Sequence, residues 1–138
     1  MILQEALSFH TNGRGTINIS TQLNAVVSTS GISTGIANIF VQHTSASLIL
    51  CENADPTVRS DLEAFMARIT PDGDSLYQHT DEGPDDMSAH VRTVLTDSSL
   101  SIPFRAGQLL LGTWQGVFLW EHRTQAHNRQ IIISLYGE

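Results

Sequence analysis

Residues 100–136 read LSIPFRAGQLLLGTWQGVFLWEHRTQAHNRQIIISLY, a series of short apolar runs broken by turn signals. Leu100 to Phe104, Gln108 to Gly112, Gly116 to His122 and Gln130 to Tyr136 are each too short for a stable helix and rich in strand formers. Arg105-Ala106-Gly107 and Trp114-Gln115-Gly116 punctuate them. Strands joined by turns this short pair with their neighbours. Upstream, Asp85 is placed to cap a helix carrying Met87, Val91, Val94 and Leu95 on the face expected to be buried. Asp55-Pro56 opens another, with Val58, Leu62, Phe65, Met66 and Ile69 at helical spacing. Gly35 to His43 and Leu48 to Cys51 read as strands. Ser20 or Thr21 starts a helix bearing Leu23, Val26 and Val27, with Gly31 past its end. Ile2 to Thr11 and Thr16 to Ile19 are strands around an Asn12-Gly13-Arg14-Gly15 turn. The expected class is α+β, an antiparallel or mixed β-sheet structure with three helices.

The chain has 138 residues, 41% of them hydrophobic and 15% charged, which suits one domain over 1–138 with a real core. A single Cys excludes an internal disulfide framework. The net charge is -7 and every cationic side chain is Arg, so the basic footprint of a nucleic-acid binder is absent. Without Lys there is neither Schiff-base chemistry on a lysine nor a P-loop lysine. No apolar run reaches the ~20 residues of a membrane span. The start, Met1-Ile2-Leu3-Gln4-Glu5, lacks a secretory pattern, so a cytoplasmic protein is expected.

Among the six histidines, three have suggestive company. His43 ends a strand beside hydroxyl residues. His79 lies in an acidic loop followed by Asp81, Glu82, Asp85 and Asp86. His90 sits on the helix that this loop feeds, and Asp86, four residues earlier, lies on nearly the same face. Neutral imidazoles and carboxylates are the donors that zinc and other divalent metals take. Spacing alone also fits three unrelated histidines. Glu52-Asn53-Ala54-Asp55-Pro56 joins an apolar strand to a helix, where polar groups are often presented. The same residues read equally as an ordinary helix start with Asn53 or Asp55 as cap. Glu121 and Arg123 share a strand face, forming either an ion pair that closes the core or the floor of a site. Arg129 falls on the face of Ile131 and Ile133. Arg123 and Arg129 together can grip a phosphate, or each can serve a surface ion pair. Trp114, between Gly112 and Gly116, marks a tight turn. There is no Cys-x-x-Cys, no dinucleotide loop and no Gly-x-Ser-x-Gly elbow. Cys51, ending an apolar run, reads as a core thiol.

The motifs His43-Thr44-Ser45-Ala46-Ser47, Glu52 to Pro56, Tyr77-Gln78-His79, Glu82 to His90, Gly112 to Gly116 and the closing Gly137-Glu138 occur in one order along nearly the whole chain. In them the sequence resembles the YjbQ-like family, whose members are described as secondary thiamine-phosphate synthase enzymes. Ser88 stands where that family usually has Pro within Asp-Asp-Met-Pro-Ala-His, and Pro84 is another departure. The resemblance implies a small α+β fold, a homotrimer, and a cluster of His43, His79 and His90 holding a divalent metal, Zn or Mg. It implies joining a pyrimidine pyrophosphate to a thiazole phosphate with loss of pyrophosphate. On that reading a metal stabilises the leaving group. Glu52, Asp55, Glu82 and Asp86 hold the metal or its water, Arg123 and Arg129 bind phosphate oxygens, and Trp114 stacks on a ring. Ser45, Asn53 and Gln115 complete the contacts to a small phosphorylated substrate.

Two other functions fit the same residues. One is hydrolysis by a metal-bound water with Glu82 or Asp86 as general base. The other is a non-catalytic trimeric module that binds a metal or a small anion. Phe118, Trp120 and Ile132 lie on strand faces opposite the candidate site. Two apolar faces on so small a domain call for helix cover on one side or a subunit on the other.

Overall fold

The computed structural model describes residues 1–138. In chain order the elements are β1 (Ile2–His10), β2 (Gly15–Asn18), α1 (Ser20–Thr29), β3 (Thr34–Val41), β4 (Ala46–Glu52), α2 (Pro56–Ile69), α3 (Asp86–Leu95), β5 (Ser99–Arg105), β6 (Gln108–Leu109), β7 (Gln115–Glu121) and β8 (Asn128–Gly137). All pairings are antiparallel. They form two sheets, ordered β1-β8-β3-β5-β6 and β2-β7-β4. The α+β class holds, with three helices.

Register explains the layering. Ile39 stands opposite both Ile133 and Leu100, so alternate residues of three adjacent strands form one apolar row. That row packs against Leu23, Val26 and Val27 of α1 and against Leu48, Val117 and Leu119 of the smaller sheet, in one cluster of 19 buried residues. Along β7, the central strand of its sheet, alternate residues face opposite ways as in any strand. Val117 and Leu119 enter the core, while Phe118 and Trp120 turn toward α2, where Arg59 stacks over the Phe118 ring at 4.6 Å. Helix cover therefore accounts for Phe118 and Trp120. Ile132, on the outer face of the larger sheet, stays half-buried.

The helices supply the main correction. On α3 none of the four expected core residues is buried: Val94 is 83% and Leu95 56% exposed, while Met87 and Val91 are half-buried. The buried residues are Asp86, Ser88, Ala89, Arg92 and Thr93. The reason lies in the surface beneath, where the smaller sheet offers Ser47 and Trp120, and the residue just past β7 is the buried His122. A polar floor selects the polar side of the helix. Thr96 donates to Ser47 Oγ at 2.6 Å, and Ser88 donates to Asp72 and to the Asp85 carbonyl. On α2 only Met66 is buried, while Phe65 and Ile69 are about half exposed. Smaller differences concern β6, which ends at Leu109, and the start of α1. Ser20 lies inside that helix, and its hydroxyl accepts from the Val117 N–H at 2.9 Å. No helix is long and apolar enough to cross a membrane.

Gly35 shows how tightly the larger sheet is drawn together. A Cβ there would lie 2.2 Å from the Tyr136 carbonyl oxygen, whereas one at Gly112 would meet only the Gln115 side chain, at 3.3 Å. Gly35→Ala is expected to cost about 1–3 kcal/mol because β3 is flanked on both sides and cannot yield. Gly112→Ala is expected to be nearly neutral. Urea unfolding of the two variants beside the parent checks this.

Candidate functional site

The chain after α2 cannot continue as a helix through Pro71 and Gly73, and it folds back as a pinned loop. The Gly73 N–H donates to the Pro84 carbonyl at 2.9 Å, and the Leu76 N–H donates to Asp74 Oδ1 at 2.9 Å. This loop carries His79 to the first turn of α3. There Asp86, 2% exposed, lies under two imidazoles. Asp86 Oδ2 is 2.8 Å from His79 Nε2 and 3.3 Å from His90 Nε2. The two ring centroids are 5.3 Å apart. One donor atom from each of the three residues falls within 4.8 Å of the others.

Hydrogen bonding fixes the tautomers. His90 Nδ1 lies 2.8 Å from the Thr44 carbonyl oxygen. A carbonyl only accepts, so Nδ1 carries the hydrogen and a neutral ring presents a bare Nε2. That lone pair faces a carboxylate oxygen at 3.3 Å. Two acceptors face each other, an arrangement that a proton or a cation between them relieves. Arg123 secures Asp86 from behind, donating from Nη1 to Oδ1 at 3.0 Å.

His43 stands apart from this trio. Its Nε2 accepts the Gln130 N–H at 2.8 Å, which leaves the hydrogen of the neutral ring on Nδ1. Burial, with Arg129 nearby, pushes its pKa down and keeps the ring neutral. It borders a cavity of about 490 Å³ shared with Thr44, His90, Thr93, Val94 and Ser98. The structure thus brings Asp86, rather than His43, together with His79 and His90.

The arginines are already engaged. Arg123 also donates from Nε to Asp85 Oδ2 at 3.0 Å and from Nη2 to the Glu82 carbonyl at 2.9 Å. Burial works to raise the Asp85 pKa, but Arg123 and two hydrogen bonds from Thr124 outweigh it and hold the carboxyl well below its usual range. Arg129, 3% exposed, pairs with Glu121 and donates to Ser45 Oγ at 3.0 Å. Thr11 donates to the same Glu121 at 2.7 Å. Glu121 therefore takes Arg129 as its partner rather than Arg123, and the two guanidiniums serve different carboxylates. Glu82 is exposed at the rim, 3.8 Å from Arg123.

The remaining residues meet elsewhere. β4 and β7 run side by side from Ala46 and Glu121 at one end to Glu52 and Gln115 at the other. Six residue steps at ~3.3 Å each separate those ends by about 20 Å. Thr44 and the histidine cluster lie near the first end, and Glu52, Asn53, Asp55, Trp114 and Gln115 lie at the second. Glu52 accepts the Ala54 and Asp55 N–H groups, and Asp55 caps α2 by accepting the Thr57 N–H at 3.0 Å. Asn53 donates to the Thr113 and Gln115 carbonyls, and Gln115 accepts the Gly112 N–H. Trp114 is 64% exposed. Within one chain these residues shape a corner and do not reach the histidines. Two participants escaped the sequence reading: the Thr44 carbonyl and the use of Arg123 as a brace for Asp86. Only the four-residue spacing of Asp86 and His90 signalled the arrangement.

Fold and site together define a small two-sheet α+β protein with a His–Asp–His cluster where an acidic loop meets a helix. Residues 5–138 match the family described as UPF0047 protein YjbQ-like, and the chain belongs to that family. It is 50% identical over 135 residues to UPF0047 protein sll1880 of Synechocystis, covering 98% of this chain and 92% of that one. To UPF0047 protein YjbQ of Escherichia coli O157:H7 it is 40% identical, with both chains covered fully. The crystal structure of the conserved hypothetical protein TT1486 from Thermus thermophilus superposes with a TM-score of 0.86 at 33% identity, covering 96% of this chain and 99% of that one. The YbjQ-like protein of unknown function SSO2532 from Sulfolobus solfataricus gives 0.85 at 25% identity, with full coverage of both.

Proposed function

We propose that the protein is a divalent-metal enzyme acting on small phosphorylated metabolites, with formation of thiamine phosphate as its best-named activity. The observation that carries this reading is the position of His90, its Nδ1 held by the Thr44 carbonyl and its Nε2 turned on the buried Asp86 carboxylate beside His79. His79, Asp86 and His90 would hold the metal. Two imidazoles with one carboxylate favour zinc over magnesium, which prefers oxygen donors throughout. A cation held there neutralises charge on a leaving phosphate or pyrophosphate. The chain's own contribution is orientation: Arg123 fixes the carboxylate, and the Thr44 carbonyl fixes the imidazole.

Elemental analysis of protein purified without a metal-affinity tag tests the reading. Near one zinc per chain is expected, falling close to zero in His79→Ala, His90→Ala and Asp86→Asn and kept in His43→Ala. A parent protein that binds no divalent metal after zinc is supplied overturns it. Turnover of a pyrimidine pyrophosphate with a thiazole phosphate is expected in the loaded enzyme. Phosphate release from a single substrate would instead make it a hydrolase.

The same reading includes a homotrimer. The exposed Val94 and Leu95 and the half-buried Met87 and Val91 of α3 adjoin His90 and form an apolar strip of the kind that subunits cover. Light scattering should give the mass of three chains, and Val94→Glu should shift it toward one. A monomeric parent would remove the trimer from the proposal.

A further inference from the structure

The sequence nominates Arg123 and Arg129 as the grip for a phosphate, yet both are taken up by carboxylates. The anion needs another home, and one cavity near the cluster suits it. We infer that the cavity bordered by His43, Thr44, Ser98 and His90 is an oxyanion subsite that receives the phosphate group of a small phosphorylated ligand. This rests on the preceding reading of the site and specifies which side of the cluster the phosphate occupies.

Unused donors come first. The His43 Nδ1 hydrogen is free, because Nε2 accepts from the Gln130 N–H. The Thr44 and Ser98 hydroxyls make no hydrogen bond within the chain, whereas the Thr93 hydroxyl is spent on the Ala89 carbonyl. Charge comes second. The lining residues are His43, Thr44, His90, Thr93, Val94 and Ser98, with no carboxylate among them. Glu82 and Asp85 gather instead around Arg123, and Asp86, outside the lining, meets both Arg123 and, at 3.3 Å, the cavity's His90. In a chain of net charge -7, a cavity free of carboxylates is where an anion meets least repulsion. The neighbouring cavity on the far side of His79, about 390 Å³, includes Asp74 in its lining and lacks this advantage. Position comes third. His90 borders the phosphate cavity and also belongs to the His–Asp–His trio, so a bound phosphate lies next to any cation held there.

Titration calorimetry of the full chain with inorganic phosphate, after EDTA treatment and again after loading with Mn²⁺, tests the inference. One phosphate per chain is expected in both states, more tightly with Mn²⁺. Thr44→Val removes the hydroxyl but keeps the carbonyl that orients His90, and Ser98→Ala removes an exposed hydroxyl. Each is expected to weaken phosphate about tenfold, the lower end for losing a hydrogen bond to a charged group. Ser98→Ala is expected to leave Mn²⁺ binding, followed by electron paramagnetic resonance, unchanged. Running phenyl phosphate in parallel separates the two sources of the group: a monoester bound at least as tightly as inorganic phosphate supports the inference. A preference for free phosphate that excludes the ester overturns it. So does wild-type affinity in both variants, or no phosphate heat in either state. Loss of Mn²⁺ binding alone strikes at the metal reading and leaves the EDTA-treated arm to judge the cavity.

Discussion

Glu63→Ala is expected to destabilise the fold by about 3–5 kcal/mol, the range for leaving a buried charge without its partner. Arg92 is 1% exposed, and its guanidinium hydrogen-bonds only to Glu63. Its Nε already lacks an acceptor. A guanidinium does not deprotonate, so removing the carboxylate strands a full charge between α3 and the smaller sheet. The same carboxylate accepts the Trp120 Nε1–H at 2.8 Å, and that donor would be orphaned as well. The reverse change is milder. Glu63 is 29% exposed, so in Arg92→Met it turns to water and keeps Trp120. Converting both sites, Glu63→Leu with Arg92→Met, should recover the part of the loss due to the stranded charge, because an apolar pair replaces an ion pair, while the Trp120 Nε1–H remains without its acceptor. Urea unfolding of the four proteins measures this. A Glu63→Ala unfolding free energy within about 1 kcal/mol of the parent's would show that water reaches Arg92 and that α3 is not seated on this pair.

This seating is where the sequence was least legible. The strands could be read because period-two alternation and tight turns are local properties, and Ile39, Val41, Ile131 and Ile133 all enter the core as their pattern indicates. On α3 the helical period was equally clear, but a period marks a face without saying which way it turns. Met87, Val91, Val94 and Leu95 formed the obvious core stripe. What inverted the helix was a polar floor assembled from Ser47 and His122, which lie far away in sequence. Charge pairing failed for the same reason. Arg123 and Glu121 are near neighbours on the chain, yet Glu121 pairs with Arg129 and Arg123 pairs with Asp85 and Asp86, 38 and 37 residues away. The Asp86–His90 contact spans one helical turn and was visible from spacing alone. His79 joins it only through a loop whose course no local pattern records.

Lowering the pH from 7 to 5 is expected to remove about 2 kcal/mol of stability through His122 alone. His122 has no exposed surface, and its Nδ1 has no partner. Its Nε2 meets Ser47 Oγ at 2.7 Å. Burial, followed by the positive charge of Arg92, pushes its pKa from 6.5 down to about 3, with Arg14 and Arg129 adding to the effect and Glu121 opposing it. Between those two values the unfolded chain binds a proton that the folded chain refuses, so stability falls as pH falls. Each unit below 6.5 costs about 1.4 kcal/mol, so the whole effect approaches about 5 kcal/mol near pH 3. Above 6.5 both states are neutral and His122 contributes no slope. Asp72, Asp85 and Glu121 act in the same direction, since their folded pKa values are lowered, but only once the pH nears their unfolded values around 4. The interval from pH 6.5 to 5 therefore isolates the histidines, chiefly His122 with a lesser part from His43, whose pKa is also lowered. His122→Gln keeps a hydrogen-bonding group near Ser47 and cannot titrate. Its unfolding free energy should change by less than half as much as that of the parent across that interval. Equal slopes in the two proteins would mean that the buried imidazole accepts a proton in the folded state, and that the polar layer under α3 is open to water.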